Sequence, residues 1–341
     1  MRIVFIGGTS GFIGTRVIHR LAAHEHDVTV LHRGETNIQL PVGVSEILGD
    51  RGRLADHAAE LKRLRPDVVV DNFLRYEREA MNLMNVFRGM VGRIVAISSQ
   101  DVYRNFGLLL GREKTEPNTL PITEDGLLRS VLYPYRDTVA PEGDPKYDYD
   151  KIPCERVVMN DEEIAGTVLR LPPVYGPGDK QHRIFPYLKR IDDGRDFILL
   201  EEAEARWRWT HGFVENVADA IVMAVEDERA SNRIYNVGEP DTLSRKEWVE
   251  AIGRAVGWKG EVISLAKDAL PEHLKSPFAF DLDLVVDTNR IRIELGYEEK
   301  VSREDAIAAT VEWERANPPA DSDSMQFDYE AEDAAYAQTL Q

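Results

Sequence analysis

The sequence predicts an α/β protein built on a doubly wound parallel sheet, with a smaller C-terminal portion added to it. Three observations carry that expectation. Short apolar runs alternate with amphipathic segments from Arg2 to Ser98, the pattern of strands covered by helices on both faces. Gly8, Gly11 and Gly14, spaced three apart, join the first run to the first amphipathic segment. A chain of 341 residues, 43% of them hydrophobic, also has the material for one large α/β domain or two ordinary ones.

The elements follow in order. Residues 2–6 (RIVFI) read as the first strand, and Phe12, Ile13, Val17, Ile18 and Leu21 then recur at three and four, as one face of a helix does. Further strands are expected at 27–32 (DVTVLH), 44–48 (VSEIL), 66–71 (PDVVVD) and 92–98 (GRIVAIS), with helices near 53–64 and 76–88. After Ser99 the regularity stops for more than forty residues, through Pro117, Pro121, Pro134, Pro141 and Pro145. A connection that long serves a site or acts as a lid. A helix around 148–163 and a strand at 166–171 follow, then a helix at 214–227, a strand at 233–238 that returns to the sheet, and helices at 244–256 and 302–315. The resulting division is 1–175, with 213–240 rejoining it, then 176–316, then an acidic tail at 317–341 expected to be disordered or loosely docked.

Composition narrows the function. Lysine and arginine number 42 against 60 acidic residues, a net charge of −18, which disfavours nucleic acid and anionic membranes as partners. The one cysteine, Cys154, permits no intrachain disulfide and suits a reducing compartment. No stretch of about 18 apolar residues is present to span a bilayer, and the first residues are already strand-like, so a soluble, cytoplasmic protein is expected. The eight histidines show no ligand spacing that implies a metal.

The glycine turn, GGTSGFIG at 7–14, is the strongest local signal. Between a strand and a helix it supplies a tight turn, close approach of backbone N–H groups to a pyrophosphate, and close packing of helix on sheet, with the helix N-terminus favouring the anion. This is the dinucleotide-binding fingerprint of a Rossmann sheet. At the end of the second strand, where an acidic residue would bond the ribose hydroxyls, the chain has His32 and Arg33. An arginine there suits a 2′-phosphate, so NADP is expected in preference to NAD.

The motifs in sequence resemble the extended short-chain dehydrogenase/reductase family, the NAD(P)-dependent sugar epimerases and dehydratases. The resemblance covers about residues 1–316 and rests on GGTSGFIG, LGDRGRL at 48–54, ISSQDVY at 97–103, Tyr147 with Lys151, LRLPPVYGPGD at 169–179, GFVENVADA at 212–220 and YNVGEP at 235–240. It implies a cofactor site formed by Gly8, Thr9, Ser10, Gly11, Phe12, Ile13, Gly14, His32, Arg33, Asp50, Arg51, Asn72, Lys151, Pro172 and Val174. Asp50 would accept from the adenine amino group, and Pro172 and Val174 would pass the nicotinamide. Ser99 is implied as the active-site hydroxyl and Tyr147 with Lys151 as the Y-x-x-x-K pair. The resemblance further implies a homodimer through the helices near 76–88 and 148–163.

The chemistry requires these residue types. Moving a hydride between a carbinol carbon and nicotinamide needs a proton carrier, and a tyrosine with an ordinary pKa of about 10 serves only with help from a neighbouring ammonium. Lys151 would give that charge, and Ser99 would steady the developing alkoxide. In PKYDYDKIPCE, Tyr147 stands four residues before Lys151 and would share its helical face, whereas Tyr149 would point away. That alignment favours a helix beginning around Tyr147 with a distortion at Pro153, against a helix beginning near Asp150 with the proline in its first turn.

Two departures bear on the reaction. Gln100 replaces the acid that family dehydratases carry after the active-site hydroxyl residue, which disfavours dehydration, while Asp101 remains available for acid/base work. Pro173 stands where many nucleotide-sugar enzymes have an asparagine, so an anionic substrate group would instead meet Arg183 or Arg208, with Arg206 and His211 as further candidates and Trp207 and Trp209 as packing residues. The expected activity is an NAD(P)-dependent oxidoreductase or epimerase acting on a hydroxyl or keto group of a sugar-like, optionally nucleotide-linked, small molecule. The alternative is a non-catalytic NADP-binding regulator or scaffold, which would not need Ser99, Tyr147 and Lys151 together.

Overall fold

The structure is a computed structural model that describes residues 1–9, 11–36, 39–136, 140–320 and 327–340. Along the first half run β1 (Arg2–Ile6), α1 (Ile13–Ala23), β2 (Asp27–His32), β3 (Ser45–Leu48), α2 (Ala58–Leu64), β4 (Val68–Asp71), α3 (Glu77–Phe87), β5 (Arg93–Ser99), α4 (Arg104–Leu109), α5 (Lys151–Met159) and β6 (Ala165–Leu171). The second half adds β7 (Val174–Tyr175), α6 (Phe185–Asp192), β8 (Phe197–Glu201), α7 (Glu202–Arg206), β9 (Gly212–Phe213), α8 (Val214–Glu226) and β10 (Arg233–Asn236). Then come α9 (Arg245–Ala255), β11 (Glu261–Leu265), α10 (Asn289–Leu295), α11 (Arg303–Ala316) and α12 (Tyr329–Thr339).

Seven parallel strands form the main sheet in the order β3-β2-β1-β4-β5-β6-β10. Strand β10 returns to the sheet edge beside β6, as the apolar run at 233 predicts. The order reverses between β1 and β4, and in such sheets the crevice at the carboxyl ends of the two strands receives ligands. Alternation along β1 sets the two faces: Ile3 and Phe5 pack with α1 and α8, while Val4 and Ile6 pack with α2 and α3. Both faces are buried along β1, β2, β4, β5 and β6, so these strands read as continuous apolar runs, while the edge strand β3 buries only Ile47.

The proline-rich connection after β5 is a packed layer. Val102, Tyr103, Phe106, Leu109 and Ile122 form a cluster with Trp207, Phe280 and Leu284, and the Trp207 indole N–H donates to the Leu282 carbonyl at 2.8 Å. Beneath it lies a buried polar network. Arg170 on β6 donates to both carboxylate oxygens of Glu155 (2.7 and 3.0 Å), to the Tyr103 hydroxyl (3.0 Å) and to the Glu124 carbonyl (2.8 Å). Tyr103 in turn donates to Asn236 of β10 at 2.6 Å, tying the connection to the sheet.

Of the two expectations for the tail, disorder and loose docking, residues 329–339 follow neither fully, since they dock through buried contacts. Residues 329–339 form α12, which docks through the buried Glu332 carboxylate on Arg190 (2.6 Å) and His273 (3.0 Å) and through Tyr336 against Phe197. The acidic composition that suggested a solvated segment hides one acid with two buried partners. Among the described residues no helix is long and apolar enough to cross a membrane.

Candidate active site

The glycine turn follows β1 at the switch point. Gly8 and Gly11 have φ of +84° and +85°, a region that costs residues with a Cβ. A Cβ on Gly14 would lie 2.3 Å from the Gly8 Cα and 2.9 Å from Asn72 Nδ2, so only glycine lets α1 approach the turn this closely. Thr15, which sequence reasoning missed, fixes the turn by donating to the Gly8 carbonyl (3.0 Å) and accepting from the Gly11 N–H (3.1 Å). Phe12 precedes the helix without a side-chain cap, and Ile13 is its first residue, so the leading N–H groups of α1 remain for an anion. Ser10 lies outside the described residues.

A cleft of about 330 Å³ runs from this turn over the ends of β2 and β4, lined by Thr9, His32, Arg33, Asp50, Arg51 and Asn72 among others. His32 is buried; its Nδ1 accepts from the Gly34 N–H (3.2 Å), which puts the ring proton on Nε2, facing Glu46 at 2.8 Å. Arg33 is 62% exposed and paired with Glu35 at 2.7 Å. Asp50 accepts from the Gly52 N–H at 2.8 Å through one oxygen. Arg51 is clamped to Asp71 (2.6 Å) and to the Phe73 carbonyl. The Asn72 Oδ1 is buried without a hydrogen-bond partner. An orphaned acceptor beside a cradle that a Cβ would fill fits a dinucleotide.

Ser99 ends β5, and its Oγ accepts the Asp101 N–H at 3.2 Å. Asp101 is buried; one carboxylate oxygen takes the Tyr149 hydroxyl at 2.7 Å and the other has no partner. Burial raises the Asp101 pKa against the opposing pull of Arg129 and Tyr149. Burial and the Asp101 carboxylate together hold Tyr149 well above the usual phenol range. Lys151 is buried, with Nζ donating to the carbonyls of Ile97 (2.9 Å) and Leu74 and lying 5.9 Å from the centre of the Tyr149 ring; burial lowers its pKa.

The expected helix start is corrected here. Helix α5 begins at Lys151, with Asp150 as its N-cap accepting the Ile152 N–H at 2.9 Å, so Pro153 sits in the first turn where its missing N–H costs nothing. Tyr147 therefore lies outside the helix and does not share a helical face with Lys151. Its N–H donates to the Asp144 carbonyl, its own carbonyl accepts from Arg136 at 3.1 Å, and the guanidinium lies 4.9 Å from its ring centre. Asp150 is held in turn by Arg129 (2.8 Å) and by the Tyr133 N–H (2.6 Å), and Arg129 also donates to the Asp101 carbonyl at 2.6 Å. Arg129 and Tyr135, whose ring is 5.6 Å from that of Tyr149, were not singled out from sequence. The cue for the helix start was present, since an aspartate directly before a helix with proline in its first turn is an N-cap signature.

Pro172 follows Leu171, the sheet partner of Ser99. Pro172 and Val174 are buried where the chain leaves β6, and the Val174 carbonyl is taken by Arg183 (2.9 Å). Arg183 is paired with Asp179 (2.6 Å) and Arg208 with Asp283 (2.9 Å), so each of these expected anion-binding guanidinium groups already faces a carboxylate. His211 stacks on Trp248 at 4.6 Å, and burial pushes its pKa down to about 3. Gln100 donates to the Val237 carbonyl at 2.9 Å, a structural bond to the strand edge. Helices α3 and α5, expected at a dimer interface, pack on each other within the chain.

Fold and site together define a dinucleotide-binding α/β protein with hydroxyl, carboxylate and ammonium groups gathered at the carboxyl ends of β4 and β5. The model of the NAD dependent epimerase/dehydratase family matches residues 4–73 and 138–238, half of the chain, and the chain belongs to that family. It is 24% identical over 297 residues to the 2′-dehydrokanamycin reductase of Streptomyces kanamyceticus, covering 85% of this chain and 75% of that protein. A dTDP-glucose 4,6-dehydratase of Streptomyces niveus is 28% identical over 144 residues, 42% of this chain and 40% of the relative. The Bordetella bronchiseptica enzyme WbmG, solved with NAD and UDP, matches with a TM-score of 0.66 at 19% identity, over 94% of this chain and 97% of that one, a likeness of fold.

Proposed function

We propose that the protein is an NADP(H)-dependent reductase of a keto group on a sugar-like substrate, with Tyr149 as proton donor. The observation that carries this reading is the Tyr149 hydroxyl bonded to Asp101 beside the buried Lys151. A tyrosine keeps its proton through neutral pH and can give it to a developing alkoxide, which is far more basic than a phenolate. Deprotonating an alcohol, the reverse task, would need that pKa lowered. Tyr149 therefore takes the role that motif spacing assigns to Tyr147. Ser99 hydrogen-bonds the substrate oxygen, and Lys151 supplies positive charge beside the reacting oxygen. Thr9, Asp50, Asn72 and the N–H groups of the glycine turn would hold the cofactor, which supplies the hydride when bound. Dehydration is disfavoured because the amide of Gln100 has no acidic proton to give.

The likeness to a reductase over most of the chain supports net reduction. The Pro173 substitution and the paired states of Arg183 and Arg208 support a substrate without a diphosphate. The test is oxidation of NADPH, followed by the absorbance of the reduced nicotinamide, against a panel of keto-aminoglycosides, free keto sugars and dTDP-linked 4-keto sugars. Oxidation dependent on the unlinked keto compounds supports the reading. Tight NADPH binding with no oxidation by any of them would favour the regulator.

The preference for NADP rests on Arg33 and on the lack of an acid at the end of β2. The 2′-phosphate would replace Glu35 as the partner of Arg33. Arg33→Ser is expected to weaken NADP binding about tenfold or more, the scale of a lost charge-assisted contact, and to leave NAD binding unchanged. Equal affinities of the wild-type protein for the two cofactors would contradict the preference.

A further inference from the structure

On the opposite edge of α1 from the glycine turn, the chain turns sharply through His24, Glu25 and His26. Glu25 has φ of +60°, and the N–H groups of residues 24, 25 and 26 donate back to the Arg20, Ala22 and Leu21 carbonyls at 2.9–3.1 Å. This turn aims both imidazoles at Glu226, the last residue of α8. His24 Nδ1 is 2.6 Å and His26 Nε2 2.8 Å from the same carboxylate oxygen, and the three atoms lie within 4.8 Å of one another.

Helices α1 and α8 run in parallel, as the Arg16–Glu215, Arg20–Asp219 and His24–Glu226 contacts along them require. Both C-terminal ends, with their partial negative charge, therefore converge on the cluster. Asp227, Glu228 and Glu298 line the adjoining cleft, whose one lysine, Lys300, is paired with Asp219, so the acids outnumber the cation there. His24 is half exposed, which leaves an entry path.

We infer that His24, His26 and Glu226 bind a late first-row divalent cation, with zinc as the reference ion. Two imidazoles and one carboxylate suit zinc and its neighbours and do not suit magnesium or calcium, which take oxygen ligands. Ligands about 2.0–2.2 Å from zinc stand roughly 3.3 Å apart in a tetrahedron, so the two histidine–carboxylate contacts must open by a fraction of an ångström and the two nitrogens, within 4.8 Å of each other, must settle at a like spacing. His24 carries its proton on Nε2 when Nδ1 ligates; for His26 to ligate through Nε2 its proton moves to Nδ1, and the Met1 amino group now 3.2 Å from that nitrogen turns aside, with water completing the shell. The ion would fasten the α1–β2 turn to the end of α8, well away from the reacting groups. The isolated positions gave no sequence signal because the carboxylate comes from a helix 200 residues later than His26.

The test is equilibrium dialysis of the untagged full chain against zinc chloride, with the melting temperature followed in parallel. One saturable equivalent and a melting temperature that rises with zinc concentration are expected, with no such response to magnesium. His26→Ala and Glu226→Gln, each verified as folded by circular dichroism, are expected to lose both effects while keeping cofactor affinity. No saturable zinc in the wild-type protein, or the same equivalent retained in the two folded variants, would overturn the inference.

Discussion

Tyr149→Phe is expected to lower kcat for ketone reduction by about 10²- to 10⁴-fold, the range of a positioned general acid, with cofactor affinity unchanged. The ring keeps its place against Tyr135, because only the hydroxyl that reaches Asp101 is removed. Lys151 keeps both of its carbonyl partners, so nothing in the cofactor cleft loses support. Tyr147→Phe is expected to change kcat by less than about threefold, since its ring and carbonyl engage Arg136 and the substitution preserves both. The pH dependence follows from sign. An acid with a raised pKa stays effective below that pKa, so the reduction rate should hold through neutral pH and fall only above the ordinary tyrosine range. Collapse of turnover in Tyr147→Phe with normal rates in Tyr149→Phe would return the role to the motif tyrosine.

Arg170→Met is expected to destabilise the fold by about 3–5 kcal/mol, measured by denaturant unfolding, the cost of leaving a buried charge without its partner. Arg170 is 2% exposed and closes two bonds to Glu155, one to Tyr103 and one to the Glu124 carbonyl. Its removal strands the Glu155 carboxylate, which keeps only the Ser98 hydroxyl as donor. Replacing Glu155 by leucine in the same chain should recover part of the loss, because an apolar pair leaves no uncompensated charge. The exposed Arg208–Asp283 pair is the contrast: Arg208→Met should cost less than about 1 kcal/mol. A loss that small at Arg170 would show that water or another group can replace it.

How much of this was legible in the chain depended on distance. The strand at 27–32 stands as its apolar run implied, and the returning strand at 233 takes the sheet edge, because burial on both faces writes itself into consecutive residues. The glycine turn was equally local. The start of α5 follows the capping aspartate at Asp150 and not the four-residue spacing of Tyr147 and Lys151. Spacing predicts a shared face only where a helix exists, and the cap decides where it begins. Tyr149 meets Asp101 across 48 residues, and Glu332 meets Arg190 across 142. Such contacts follow from topology, and no local pattern in either segment announces them.

Hydride transfer itself can be followed with an isotope. NADPH carrying deuterium at the transferable position, mixed in equimolar amount with an accepted keto sugar, should yield one deuterium on the new carbinol carbon for each cofactor oxidised, observed by mass spectrometry. A product isomerised without deuterium and with the cofactor returned in its starting state would contradict net reduction and identify an epimerase cycle instead.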